Sequence, residues 1–113
     1  MVGTMASILA AFAERLGRKA HLRQITSGWE RRVGFIVEDR QEMLCLSFTA
    51  NGVQCTEWDQ NEKADLVVCG QEQELRMLFA GDVLVYLRAK QSVSVNGSLR
   101  DQLKMDALLR LAW

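Results

Sequence analysis

The sequence lacks most of what catalysis or nucleic-acid recognition would need. It has no proline, so no proline-rich linker divides it, and no repeat or low-complexity tract interrupts its 113 residues. A chain of that length is read as one domain, 1–113, able to bury one sizeable core. Histidine occurs once, at His21, with no serine or cysteine motif beside it and no second histidine to share a metal, so it reads as a surface residue. The glycines stand singly and form neither G-x-G-x-x-G nor a P-loop string, which excludes the common nucleotide cradles. Fourteen basic side chains balance fourteen acidic ones, leaving no net field to gather a polyanion, and nucleic acid is set aside as a partner. Three cysteines, Cys45, Cys55 and Cys69, are an odd count without C-x-x-C spacing, so neither a disulfide framework nor a zinc ribbon is indicated. Reduced thiols inside apolar runs suit the cytoplasm, the expected compartment. The run "MASILAAFA" is too short to span a membrane and has no basic stretch before it.

What is present is apolar patterning. Met5, Ile8, Leu9, Phe12, Ala13 and Leu16 share one side of a helical projection and Ser7, Glu14, Arg15 and Arg18 the other, which predicts an amphipathic helix over 4–18. A connection over 19–31 follows. From Arg32 the period becomes two, and Val33, Phe35 and Val37, then Leu44, Leu46 and Phe48, then "VQCTEW" predict a three-stranded meander turning at "EDRQE" and "ANG". "LVVCG" predicts a fourth strand. "QEQELRMLFAG" opens with Glu72 and Glu74, suited to the positive end of a helix dipole, and stops at Gly81; Asp82 then caps a further helix, "VLVYLRAK". A fifth strand carries Val93 and Val95, Asn96-Gly97 turns the chain, and a last helix follows. The class is α+β: a five-stranded, mainly antiparallel sheet with helices packed on one face.

Chemistry is hard to find along this outline. Glu57 and Asp59 share a strand face but adjoin a polar loop and read as solvated, and no nucleophile, base or metal set emerges; the protein is expected not to be an enzyme and to need no cofactor. Trp29, Trp58 and Trp113 read as core or rim residues. Residues 1–32 hold six bases against two acids, which suits a solvated face or, as a sharper reading, transient contact with an anionic membrane surface. The apolar surplus sits in the last helix. Leu103 and Ala107 lie near one side, Leu108 and Leu111 on another, and Met105, Leu109 and Trp113 on the rest, with Arg100, Asp101, Lys104 and Arg110 between them. Each leucine left in water forgoes roughly 1.5 to 3 kcal/mol, so this helix should meet more than one dry neighbour. The sheet is one; a bound apolar molecule, a second subunit or the short helices supply the other.

From about Trp29 onward the sequence resembles the sterol carrier protein 2 family. "ADLVVCGQEQELRMLFAGD" at 64–82 is similar to the family's strand, acidic helix and Leu-Phe-x-Gly stop, "SVSVNGSLRDQLKMDALL" at 92–109 to its strand-Gly-helix ending, and "GWERRVGFIVED" to the opening of its hairpin. The chain departs from the pattern at Gln91-Ser92, where the family has Gly-Lys, and in "DVLVYLRAK", which lacks the family's usual proline. The resemblance implies a non-catalytic carrier that holds an apolar small molecule, such as a fatty acid, sterol-like molecule, acyl-CoA or quinone, in a tunnel between sheet and helices. Its implied lining is Phe35, Val37, Leu44, Leu46, Phe48, Leu66, Val68, Val93 and Val95 from the sheet. Leu78, Phe79, Leu84, Leu87, Leu103, Leu108 and Trp113 would come from helices, the last helix acting as a movable cover. Two other readings use the same residues: a self-filled interaction module forming a homodimer through the last helix, and an accessory domain presenting an apolar substrate to an enzyme.

Overall fold

A computed structural model describes residues 4–18, 28–49, 52–59, 61–79 and 93–111. In chain order these form α1 (Met5–Arg18), β1 (Arg31–Val37), β2 (Glu42–Thr49), β3 (Gly52–Glu57), β4 (Leu66–Gly70), α2 (Glu72–Phe79), β5 (Val93–Asn96) and α3 (Leu99–Leu111). The expected helix over 83–90 and most of the connection over 19–31 lie outside the described residues.

Alternation builds the sheet. Val33, Phe35 and Val37, Leu44, Leu46 and Phe48, Leu66 and Val68, and Val93 and Val95 are all buried on one face, because successive strand side chains point to opposite sides. All three described helices contribute to the core on that face, through Met5, Leu9, Phe12, Ala13 and Leu16 of α1, Leu75, Leu78 and Phe79 of α2, and Met105, Leu108 and Leu109 of α3. The stripe expected on α1 is therefore the buried one. Its first turn is capped by Thr4, whose Oγ1 accepts from the Ser7 amide at 3.1 Å.

The five strands run in the order β3-β2-β1-β4-β5. The meander β1-β2-β3 and the pair β4-β5 are antiparallel, but β1 and β4 are parallel, so the sheet is mixed. Asp65 fastens the start of that parallel seam: its amide donates to the Arg32 carbonyl at 2.8 Å and its Oδ2 accepts the Arg32 amide at 2.9 Å. At the other end the Glu38 amide donates to the Gly70 carbonyl at 2.9 Å.

The opposite face of the sheet is partly sheltered by one ring. Trp58, which follows β3, lies over Gly34, and a Cβ at that glycine would stand 2.6 Å from the indole. The indole N–H donates to the Glu62 carbonyl at 3.0 Å. Glycine at 34 is thus explained by close approach of a ring, with ordinary backbone angles.

The β1-β2 turn also starts α2. Asp39 accepts the Glu72 amide at 2.8 Å, doing from a distant turn what an N-cap residue does locally. The Glu72 carboxylate accepts from Arg76 at 2.8 Å and from Arg40 at 2.7 Å, and these bonds, Arg76 first, hold its pKa below the ordinary carboxylate value. A depressed carboxylate contributes stability that is present above its unfolded pKa and lost as pH falls through its folded one. The Glu72→Gln variant is accordingly expected to melt below the wild type at neutral pH, with the gap closing once pH drops below the normal carboxylate range. Paired thermal melts at the two pH values check this.

Candidate functional site: the apolar interior between sheet and helices

Between Val33 and Val37, Leu44 and Phe48, Leu66 and Val68, and Val93 and Val95, every inward position is apolar. Twelve of the lining residues expected from sequence, Phe35, Val37, Leu44, Leu46, Phe48, Leu66, Val68, Leu78, Phe79, Val93, Val95 and Leu108, fall in this one buried cluster. Phe79 joins the layers. Its ring meets Phe12 of α1 edge-on at 5.2 Å between centroids and Phe35 of β1 at 5.7 Å. Nearer α3, Trp29 packs on Phe48 at 5.0 Å.

Leu103 does not join them. It is 52% exposed on the outer side of α3, whose inward side carries Asp101, Gln102, Met105, Asp106, Leu108 and Leu109. Leu84, Leu87 and Trp113 lie outside the described residues. Several core members were not assigned to the lining from sequence: Trp29, Val33, Leu75, Met105, Leu109 and the inward residues of α1. For α1 the signal was present as its apolar stripe.

The inward Asp101 has a specific cause. Its Oδ1 accepts the indole N–H of Trp29 at 2.8 Å, and the Arg31 Nε lies 3.3 Å away. Its own amide donates to Ser98 Oγ at 3.1 Å, which caps the helix. Gln102 donates through Nε2 to the Gly97 carbonyl at 3.0 Å, and Asp106 lies 3.3 Å from the Arg110 guanidinium. Buried polar groups need such partners, since an unsatisfied one costs about 1 to 3 kcal/mol. The first turn of α3 is thereby pinned to the start of β1, and the apolar pair Leu108 and Leu109 is carried farther along the helix.

Two open grooves flank α1. One, of about 480 Å³, runs between Ala10, Ala13 and Gly17 of the helix and Gly52, Val53 and Cys55 of the edge strand; the other, of about 410 Å³, lies by Ala6, Met43, Leu44 and Trp58. Burial pushes the thiol pKa values of Cys55 and Cys69 up, which keeps both as thiols at neutral pH and poor nucleophiles. Glu57 and Asp59 are exposed, and Asp59 accepts the Asn61 amide at 3.0 Å in the loop after β3. Among the described residues no helix is long and apolar enough to cross a membrane.

A sheet covered on one face by helices around an apolar interior defines a small α+β domain. In particular it has the sterol carrier protein 2 fold, as comparison with solved structures shows. A protein described as "UbiJ-SCP2 Ubiquinone synthesis protein" superposes with a TM-score of 0.80 at 22% identity, over 96% of this chain and 94% of that one. The sterol carrier protein domain 2 of Helicoverpa armigera gives 0.76 at 14% identity, over 94% and 85%. The sec-alkylsulfatase Pisa1 from Pseudomonas sp. gives 0.63 at 18% identity, with 77% of this chain matching 13% of that enzyme. No protein-family model and no curated protein matches the sequence.

Proposed function

We propose that this domain is a non-catalytic carrier that encloses an apolar molecule between sheet and helices. The observation that carries the reading is the unbroken apolar lining of the inward sheet face beneath three helices. An apolar interior that opens to a guest would hold it by enclosure with few polar contacts, which suits a fatty acid, sterol-like molecule, acyl-CoA or quinone. The fold shared with a sterol carrier domain and a ubiquinone synthesis protein supports the same class of ligand. Entry would follow from the anchoring of α3: the turn at Ser98 and Asp101 stays fixed on Trp29 and Arg31 while the end bearing Leu108 and Leu109 lifts.

Native mass spectrometry of protein purified without detergent should show an adduct of lipid mass, and a fluorescent fatty acid should bind and be displaced by unlabelled lipid. Truncation before Leu108 should abolish probe binding and also lower the melting temperature, since Leu108 and Leu109 are core residues. Probe binding is therefore compared only in samples whose circular dichroism shows them folded. An adduct-free protein that takes up no probe would falsify the carrier reading.

One observation favours the self-filled alternative: Phe12, Phe79 and Phe35 already touch across the interior, so a guest must part them. On that reading the same spectra should show an adduct-free dimer. The match to a small part of the alkylsulfatase supports the third reading, an accessory domain beside an enzyme that acts on an apolar chain.

A further inference from the structure

Among the described residues the exposed large apolar side chains all stand on one helix: Leu99 is 61% exposed, Leu103 52% and Leu111 44%. With Ala107 between them they recur every fourth residue, a single inclined row along the outside of α3. The remaining outward positions of the helix are Arg100, Lys104 and Arg110. Both acidic residues of α3, Asp101 and Asp106, are turned inward. The helix is thus inverted: it hides its carboxylates and shows leucines set among cations.

This combination distinguishes between possible occupants. A second copy seated on the same row would bring Arg100, Lys104 and Arg110 against their equivalents, like charge on like charge. An apolar ridge flanked by cations is instead complementary to a lipid surface bearing anionic headgroups, where leucines enter the acyl boundary and the basic side chains reach the phosphates. We propose that the outer face of α3 docks the domain on anionic membrane surfaces. Arg110 keeps one nitrogen 3.3 Å from Asp106 and contributes less than Arg100 and Lys104. The inference stands apart from the carrier reading, because it concerns the outer face of α3 and the carrier reading its inner one.

Sedimentation with vesicles tests it, using phosphatidylcholine alone and phosphatidylcholine doped with phosphatidylglycerol. The wild-type chain should bind the anionic vesicles, bind neutral ones far more weakly, and be released by salt. The double variant Arg100→Glu and Lys104→Glu should lower the partition coefficient at least about tenfold, each cation being worth about fivefold. Leu103→Ser with Leu111→Ser should lower it about tenfold as well, with the melting temperature lowered only slightly, since each side chain is about half exposed and neither belongs to the core cluster. Arg15→Glu on α1 should leave binding close to wild type. The proposal is overturned if anionic vesicles are not bound, if the α3 variants bind like the wild type, if Arg15→Glu alone removes binding, or if the leucine variants instead dissolve a dimer. Retention of a fluorescent fatty acid in the same samples is read separately, so loss of docking and loss of ligand binding cannot be confused.

Discussion

Phe35→Ala should destabilise the fold by about 3 to 5 kcal/mol, the usual cost of hollowing a packed core at a phenylalanine. Phe35 is 1% exposed on the central strand, with Leu44 and Val68 as its cross-strand neighbours and Phe79 over its ring. A loss of that size is a large share of the roughly 5 to 15 kcal/mol that holds a domain together. Urea unfolding measures it, and Phe35→Leu, which keeps most of the volume, should cost under about 1.5 kcal/mol by the same measurement. The variant also bears on the carrier proposal. A guest that binds the native state only adds stability in proportion to the logarithm of its concentration over its dissociation constant. Added fatty acid should therefore restore part of the lost melting temperature in Phe35→Ala; a hollow that no apolar ligand rescues would count against an interior that takes guests.

The second large effect is expected at Gly97. This residue turns the chain from β5 into α3 with φ of +148°, and a Cβ there would stand 2.6 Å from Leu66 Cδ1 and 2.8 Å from the Asp65 carbonyl oxygen. Valine adds steric overlap of about 1 to 3 kcal/mol to backbone strain of about 1 to 3 kcal/mol. The push falls on Asp65, the residue that fastens β4 to Arg32, so Gly97→Val should shift the whole unfolding transition and leave no separate step for α3. Coincident transitions seen by circular dichroism and by tryptophan fluorescence would bear this out. A variant that melts like the wild type would show that the turn relaxes without disturbing β4.

Much of this architecture is legible in the sequence, and the exceptions have physical causes. The meander was legible because Val33, Phe35 and Val37 and Leu44, Leu46 and Phe48 alternate cleanly, and period two identifies a strand with one buried face. Strand direction was not legible, since alternation is the same in parallel and antiparallel pairs; β4 lies parallel to β1 through Asp65 and Gly70, contacts that no local pattern announces. The buried apolar face was legible wherever a single stripe existed. It failed on α3 because the partners that let Asp101 face inward, Trp29 and Arg31, lie far upstream in sequence. A projection that scores hydropathy alone sends Asp101 outward and Leu103 inward, whereas the hydrogen bonds reverse both.

The parallel seam also constrains how the chain must assemble. Hairpins such as β1-β2 close over a few residues and form in microseconds, but pairing Val33 with Leu66 must wait for a much longer loop to close. By loop length the β1-β4 seam and the β4-β5 pair, which joins Val67 to Asn96, are both expected to form after the β1-β2-β3 meander. Hydrogen exchange pulsed during refolding, with β1-β2 amides protected before those of β4, checks this order. Until those two pairings form, the flank of β1 is open to any other chain nearby.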